Sequence, residues 1–138
     1  VSKLFEIESY ATVHQLVSTV EGQLLETQTS RSAFAAAFPG GSMTGAPKQR
    51  AMQIIAELEK GPRGVYSGAV GFFGFNGAAD FGMTIRSIVI DGNGATIGVG
   101  GGITAGSVVI DEIHEVGVKA DALLRVLGAS PNLFLSAE

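Results

Sequence analysis

Two turn signals set close together constrain this chain more than anything else in it. Asn76-Gly77 and Asp91-Gly92-Asn93-Gly94 punctuate three apolar, β-branched stretches, Val65–Phe75, Gly82–Ile90 and Ala95–Val99. Asn-Gly between two such runs needs positive φ and reads as a tight hairpin. The spacing predicts an antiparallel meander over 65–101. Upstream, Lys3–Tyr10 alternates apolar and polar residues and Val13–Val20 is β-branched, so two more strands are expected, turned by Glu21-Gly22. The remaining segments carry helical periodicity. Thr27–Phe38 ends in SAFAAAF, with Ser30 as its N-cap, and Pro39-Gly40-Gly41 stops it. A second helix follows, capped by Ser42 or Thr44, with Pro47 in its first turn and Ala51, Ile54, Ile55 and Leu58 on a buried face. A third spans Val109–Leu127, with Ile113, Val116, Ala120, Leu123, Leu124 and Leu127 on one stripe and Gly128 as its stop. Two strands, two helices, three strands and one helix make an α+β chain, an antiparallel β-sheet with packed helices rather than a βαβ series. Residues 1–128 form the expected domain and 129–138 a tail.

Composition narrows what such a domain does. The 138 residues suit one domain, and zero cysteine removes disulfides, Cys-ligated zinc, iron–sulfur clusters and thiol nucleophiles together. The formal charge is −4 with no Lys/Arg cluster, which argues against nucleic acid. Mean hydropathy is +0.34, yet no apolar run approaches the roughly 20 residues of a membrane span, and no signal peptide opens the chain. A cytoplasmic location is the expectation. Glycine, at 20 residues, is about twice its usual share.

Five features could carry chemistry. Gly40–Lys48 is not a phosphate loop, because Ala46-Pro47 separates Gly45 from Lys48. Gly100-Gly101-Gly102 could turn backbone N–H groups toward a carboxylate, or could simply be a tight bend. Arg86, in MTIRSIVI, shares a predicted strand face with Thr84, Ile88 and Ile90. It either binds an anion there or reaches water at a strand end. Glu112 and Glu115 are i, i+3 on one helix, beside Asp111. They suit either the positive end of the helix dipole or a hard cation such as Mg2+. His14 and His114 have no partner that spacing reveals, and Tyr66 is open between core aromatic and ligand hydroxyl.

Taken together, HQLVSTVEG, FPGGSMTGAPKQRAMQIIAELE, RGVYSGAVGFF, IRSIVI and VGGGITAGS…DEIHEVGVKADALL resemble, in order and spacing, the C-terminal part of chorismate-utilising enzymes. These are anthranilate synthase component I, aminodeoxychorismate synthase component I, and the isochorismate and salicylate synthases. The resemblance runs from Lys3 to Gly128. It implies part of a chorismate-binding α/β sandwich. By position it implies Arg86 for the enolpyruvyl carboxylate, assisted by Tyr66, and His14 as a catalytic residue near the ring. Ser42 becomes a ligand, Gly100 and Gly102 give backbone amides to the ring carboxylate, and Glu112 and Glu115 bind Mg2+. That set suits a dianion: arginine offers a bidentate fork for one carboxylate, and a dication neutralises the other and promotes loss of the ring hydroxyl. The chain departs from the family's usual pattern at Gly106, where aspartate is common, and at Val109, where proline is common.

The family also uses an upstream lysine in a PIKGT-like motif and further acidic residues, which are not in these 138 residues. The expectation is therefore a C-terminal portion of a larger active site, inactive alone. The GGGIT loop favours the aminodeoxychorismate reaction, Mg2+-dependent replacement of the 4-hydroxyl of chorismate by ammonia from a glutamine amidotransferase subunit or domain. Anthranilate synthase component I is the alternative. A third reading is a non-catalytic chorismate-binding or assembly module, one that dimerises through an apolar face, in keeping with the positive mean hydropathy.

Overall fold

The computed structural model describes residues 1–11 and 13–129, and the expected tail from Ser130 lies outside them. Strands β1 (Lys3–Ser9) and β2 (His14–Thr19) pair antiparallel, with a register shift between Lys3 and Glu6. Helix α1 (Ser30–Ala37) is capped by Thr29 rather than by Ser30. The Thr29 side chain accepts from Ser32 N, and the Ser32 hydroxyl accepts from Thr29 N, a reciprocal box that the hydroxyl-rich TSRS run supplies.

The next helix is split. A single turn, α2 (Gly41–Thr44), precedes α3 (Lys48–Leu58), with Gly45 between them at φ +126°. Ser42 and Thr44 lie inside α2 and cap nothing in α3; Pro47 is the N-cap of α3, just outside its first turn. Lys48 is used structurally, since its ammonium donates to the Ala37 carbonyl at the end of α1, at 2.7 Å.

The predicted meander resolves into two separate hairpins. β3 (Ala69–Phe73) pairs with β4 (Ala79–Met83), and β5 (Ile88–Asp91) pairs with β6 (Gly94–Ile97). The turns are where Asn76-Gly77 and Asp91–Gly94 place them. The Asn76 side chain accepts from Ala78 N at 3.1 Å, Gly77 sits at φ +86°, and the Asp91 carboxylate accepts from Asn93 N at 2.7 Å. The expected return strand Gly82–Ile90 breaks at 84–87. Thr84 keeps its backbone bonds to Ser67 and Gly68, and Arg86 then adopts φ +51°, outside the extended region. Val65–Ser67 likewise forms a turn rather than the start of β3.

Helix α4 (Val109–Val126) matches its predicted span, and Gly128 ends it at φ +69°. Packing is local. Phe34 of α1 lies 4.3 Å from Phe81 and 5.8 Å from Phe73 between ring centroids, which seats α1 on the β3–β4 hairpin. The predicted buried stripes are only partly covered. Ala120 is 2% exposed, but Ile113 and Leu58 are 44% and 76% exposed. The chain exposes 11101 Å², where a compact monomer of this mass would expose roughly 6,700 Å². The apolar faces of these elements are built for contact that the described residues do not supply.

Candidate active site

A cavity of about 380 Å³ opens where α2, the 63–67 turn, the 84–87 break and the 98–102 loop converge. Ser42, Tyr66, Arg86, Gly100 and Gly102 all line it, so five positions scattered over sixty residues of sequence meet on one surface. The strand break that overturns the predicted face for Arg86 puts it on this wall. A residue in the left-handed region turns the chain out of the β4 direction and leaves the side chain exposed at the cavity. Among the described residues Arg86 has no ion-pair partner, unlike Arg63 and Lys119 on the same wall. An unpaired guanidinium with its donors free is prepared for a carboxylate.

The glycine loop also receives an aromatic ring. A Cβ on Gly98 would fall 2.3 Å from Cγ of Tyr66, and one on Gly100 would fall 2.8 Å from its hydroxyl. The Tyr66 side chain therefore lies against a backbone that has no room for side chains at Gly98 and Gly100. Tyr66 is both packed and at the cavity, so the two readings of it are compatible. Gly98 was not singled out by sequence pattern, because nothing in a glycine-rich run marks which residue a ring will touch.

At the start of α4, Ser107 ties the preceding loop to the Glu112 side chain on the helix. Its hydroxyl accepts from Thr104 N at 3.0 Å and donates to Glu112 Oε1, while the N-cap residue itself, Val108, makes no side-chain bond. Gly106 and Val109, the two departures from pattern, leave this anchor intact. Glu112 Oε2 is buried without a hydrogen-bond partner. Glu115 is ion-paired with Lys119, whose ammonium also donates to the Gly100 carbonyl at 3.2 Å. Two carboxylates and no third acidic or imidazole group converge among the described residues. An orphaned carboxylate oxygen beside a second carboxylate fits Mg2+, which keeps several waters and takes one or two carboxylates plus ligand oxygens. Lys119 escaped the sequence reading, although its i, i+4 spacing from Glu115 is the signal that finds it.

His14 is not among the residues lining the cavity. It opens β2, exposed, with Nδ1 2.9 Å from Ser9 Oγ across the hairpin.

An unpaired arginine, a tyrosine against a glycine loop and a carboxylate pair are thus gathered in one region of the described surface. A profile of the chorismate binding enzyme family matches residues 1–125, and the chain belongs to that family. Over 124 residues it is 59% identical to an aminodeoxychorismate synthase of Streptomyces pristinaespiralis, covering 90% of this chain and 17% of that protein. It is 44% identical over 127 residues to anthranilate synthase component 1 of Mycolicibacterium smegmatis, covering 92% of this chain and 24% of that protein. The crystal structure of anthranilate synthase component I from Streptococcus pneumoniae TIGR4 superposes with a TM-score of 0.82 at 38% identity. The match covers 88% of this chain and 28% of that one. The chain thus spans between a sixth and about a quarter of the length of these relatives. No helix among the described residues is long and apolar enough to cross a membrane.

Proposed function

We propose that this chain supplies the carboxylate-binding half of the active site of an enzyme that replaces the 4-hydroxyl of chorismate with ammonia, giving 4-amino-4-deoxychorismate. The observation that carries the reading is the unpaired Arg86 guanidinium facing Tyr66 and the Gly100–Gly102 backbone across one cavity. Arg86 takes the enolpyruvyl carboxylate in a charge-assisted fork, with Tyr66 beside it. Backbone N–H groups of Gly100 and Gly102 take the ring carboxylate, and Ser42 adds a hydroxyl. Glu112 and Glu115 would hold Mg2+, which when bound neutralises the ring carboxylate and promotes departure of the hydroxyl. His14 is assigned to the ring and, from the β1–β2 hairpin, needs the rest of the enzyme to reach it. Ammonia is supplied by a glutamine amidotransferase subunit or domain.

The aminodeoxychorismate reading leads because the relatives of that name reach 59% and 56% identity, against 44% for anthranilate synthase components. The anthranilate alternative places ammonia on the ring carbon next to the carboxylate-bearing one, with loss of the same hydroxyl, and then eliminates pyruvate. In either case, the 138 residues alone are proposed to be inactive, because among the described residues the cavity gathers groups that bind the dianion while His14 lies away from it. The test is the full-length enzyme with chorismate, Mg2+ and ammonium, its products analysed by mass and fluorescence. An aminated product that retains the enolpyruvyl group is expected. Fluorescent anthranilate with released pyruvate would establish the alternative, and turnover by the isolated chain would overturn its proposed inactivity.

A further inference from the structure

The carboxylate-binding wall is tied together by a residue that carries no assignment in the reading above. Arg63 sits between three segments that the chain brings together only here. Its Nε donates to both oxygens of Glu59, at 3.1 and 2.9 Å, and Nη2 donates to the same carboxylate at 2.5 Å. Its Nη1 donates to the Met43 carbonyl in α2 at 2.7 Å and to the Ser67 hydroxyl at 3.0 Å. The guanidinium carbon lies 5.9 Å from the centroid of the Tyr66 ring. Ser67 is itself buried and held at φ +67°, a conformation that a non-glycine residue keeps only when its surroundings fix it.

These contacts use the planar fork of arginine in full. One edge faces the Glu59 carboxylate and the other reaches two segments at once, which a lysine ammonium on a flexible stem does not reproduce. The carboxylate also occupies the charge. Arg63 is therefore committed, whereas Arg86 on the same wall is free. What Arg63 does fix is the distance between the turn bearing Ser42, next to Met43, and the turn bearing Tyr66, next to Ser67.

We propose that Arg63 is a positioning residue for the substrate-carboxylate pocket: through Met43 and Ser67 it holds Ser42 and Tyr66 at the separation the substrate needs, with Glu59 as its anchor. This rests on the chorismate reading above. In the full-length enzyme, Arg63→Met, Arg63→Lys and Glu59→Gln are compared with Tyr66→Phe and Arg86→Ala by steady-state kinetics, calorimetric chorismate binding and thermal melting. Arg63→Met is expected to raise the KM and Kd for chorismate by about tenfold or more while kcat changes less than about threefold. Arg63→Lys should not restore affinity, and the Arg63→Met and Tyr66→Phe effects on Kd should be less than additive. A folded Arg63→Met enzyme with KM within twofold of the parent overturns the proposal. So does full rescue by lysine, or strict additivity with Tyr66→Phe. If Arg63→Met does not fold, Glu59→Gln decides, with a severalfold rise in KM expected and an unchanged KM overturning the proposal. Failure of the chorismate reading itself looks different: Arg86→Ala would then leave chorismate binding intact.

Discussion

The backbone of Gly101 passes so close to Glu112 that a Cβ there would lie 3.0 Å from Oε2, the carboxylate oxygen left without a partner. Glu115 Oε1 would be 3.6 Å away. The loop proposed to present amides to the ring carboxylate thus also lies against the carboxylate pair.

Gly101→Ala is expected to leave folding nearly intact, because the contacted atoms are the ends of flexible side chains. Its melting temperature should shift by only a few degrees, as for a change worth about 1 kcal/mol or less. The displaced carboxylates should weaken Mg2+ binding severalfold in a calorimetric titration. Unaltered Mg2+ affinity would separate this glycine from the metal.

Lys119→Met should act in the opposite sense. The ammonium paired with Glu115 competes with a dication for that carboxylate, so removing it should tighten Mg2+ binding and destabilise the metal-free protein. The Gly100 carbonyl also loses a donor, and faster amide exchange in the 98–102 loop should accompany the change. Weaker Mg2+ binding in Lys119→Met would show that the two cations cooperate.

Arg86 allows charge and backbone to be tested apart. At φ +51° a residue other than glycine carries a cost of about 1 kcal/mol or more. Arg86→Gly should therefore be more stable than Arg86→Ala, although both lose carboxylate binding. Equal stability of the two variants would mean that the turn relaxes when the guanidinium is gone.

Gly98→Ala places a methyl group against the Tyr66 ring at 2.3 Å, so the ring must move. Chorismate affinity should fall at least as far as in Tyr66→Phe, in which the ring stays and only the hydroxyl is lost. Gly71→Ala is the control, since its Cβ would strike the Asp80 carbonyl across the β3–β4 hairpin at 1.9 Å. That variant should lose stability by melting without a specific effect on affinity in whatever fraction folds.

The Glu59–Arg63 pair predicts a pH window. The hydrogen bond from Arg63 holds the Glu59 carboxyl below its ordinary value of 4.5. A depressed folded value contributes stability that is present above the unfolded value and is lost as pH falls through the folded one. Melting temperature should therefore fall more steeply below about pH 4.5 in the parent than in Glu59→Gln, with parallel curves at neutral pH. The slope difference should be small, because Glu59 is 39% exposed.

Element types were legible in the sequence where local chemistry decides them. Asn76-Gly77 and Gly128 fix backbone conformations by themselves, and α4 announces itself by its periodicity. Thr29 displaced Ser30 as cap because both sit in one hydroxyl run and only the reciprocal bond with Ser32 chooses between them. Arg86 and Tyr66 were legible as candidates, and the GAPK-containing block made the family plain. The break at 84–87 was not legible. Nothing local forbids a strand there, and the chain turns just after Thr84 pairs with Ser67 and Gly68, sixteen and seventeen residues earlier. Arg63 and Glu59 were hidden for the same reason, since an i, i+4 ion pair is ordinary until its far edge is seen to reach Met43.

The three two-stranded sheets have one further consequence. A pair of strands has no interior strand, so all six described strands present an open row of N–H and C=O groups along one side. Such rows template pairing with any extended chain that approaches. Where the rest of a family enzyme is absent, a neighbouring copy is the nearest source of such a chain. Strand addition between copies would compete with correct assembly, and soluble yield on expressing these residues alone should fall as protein concentration rises.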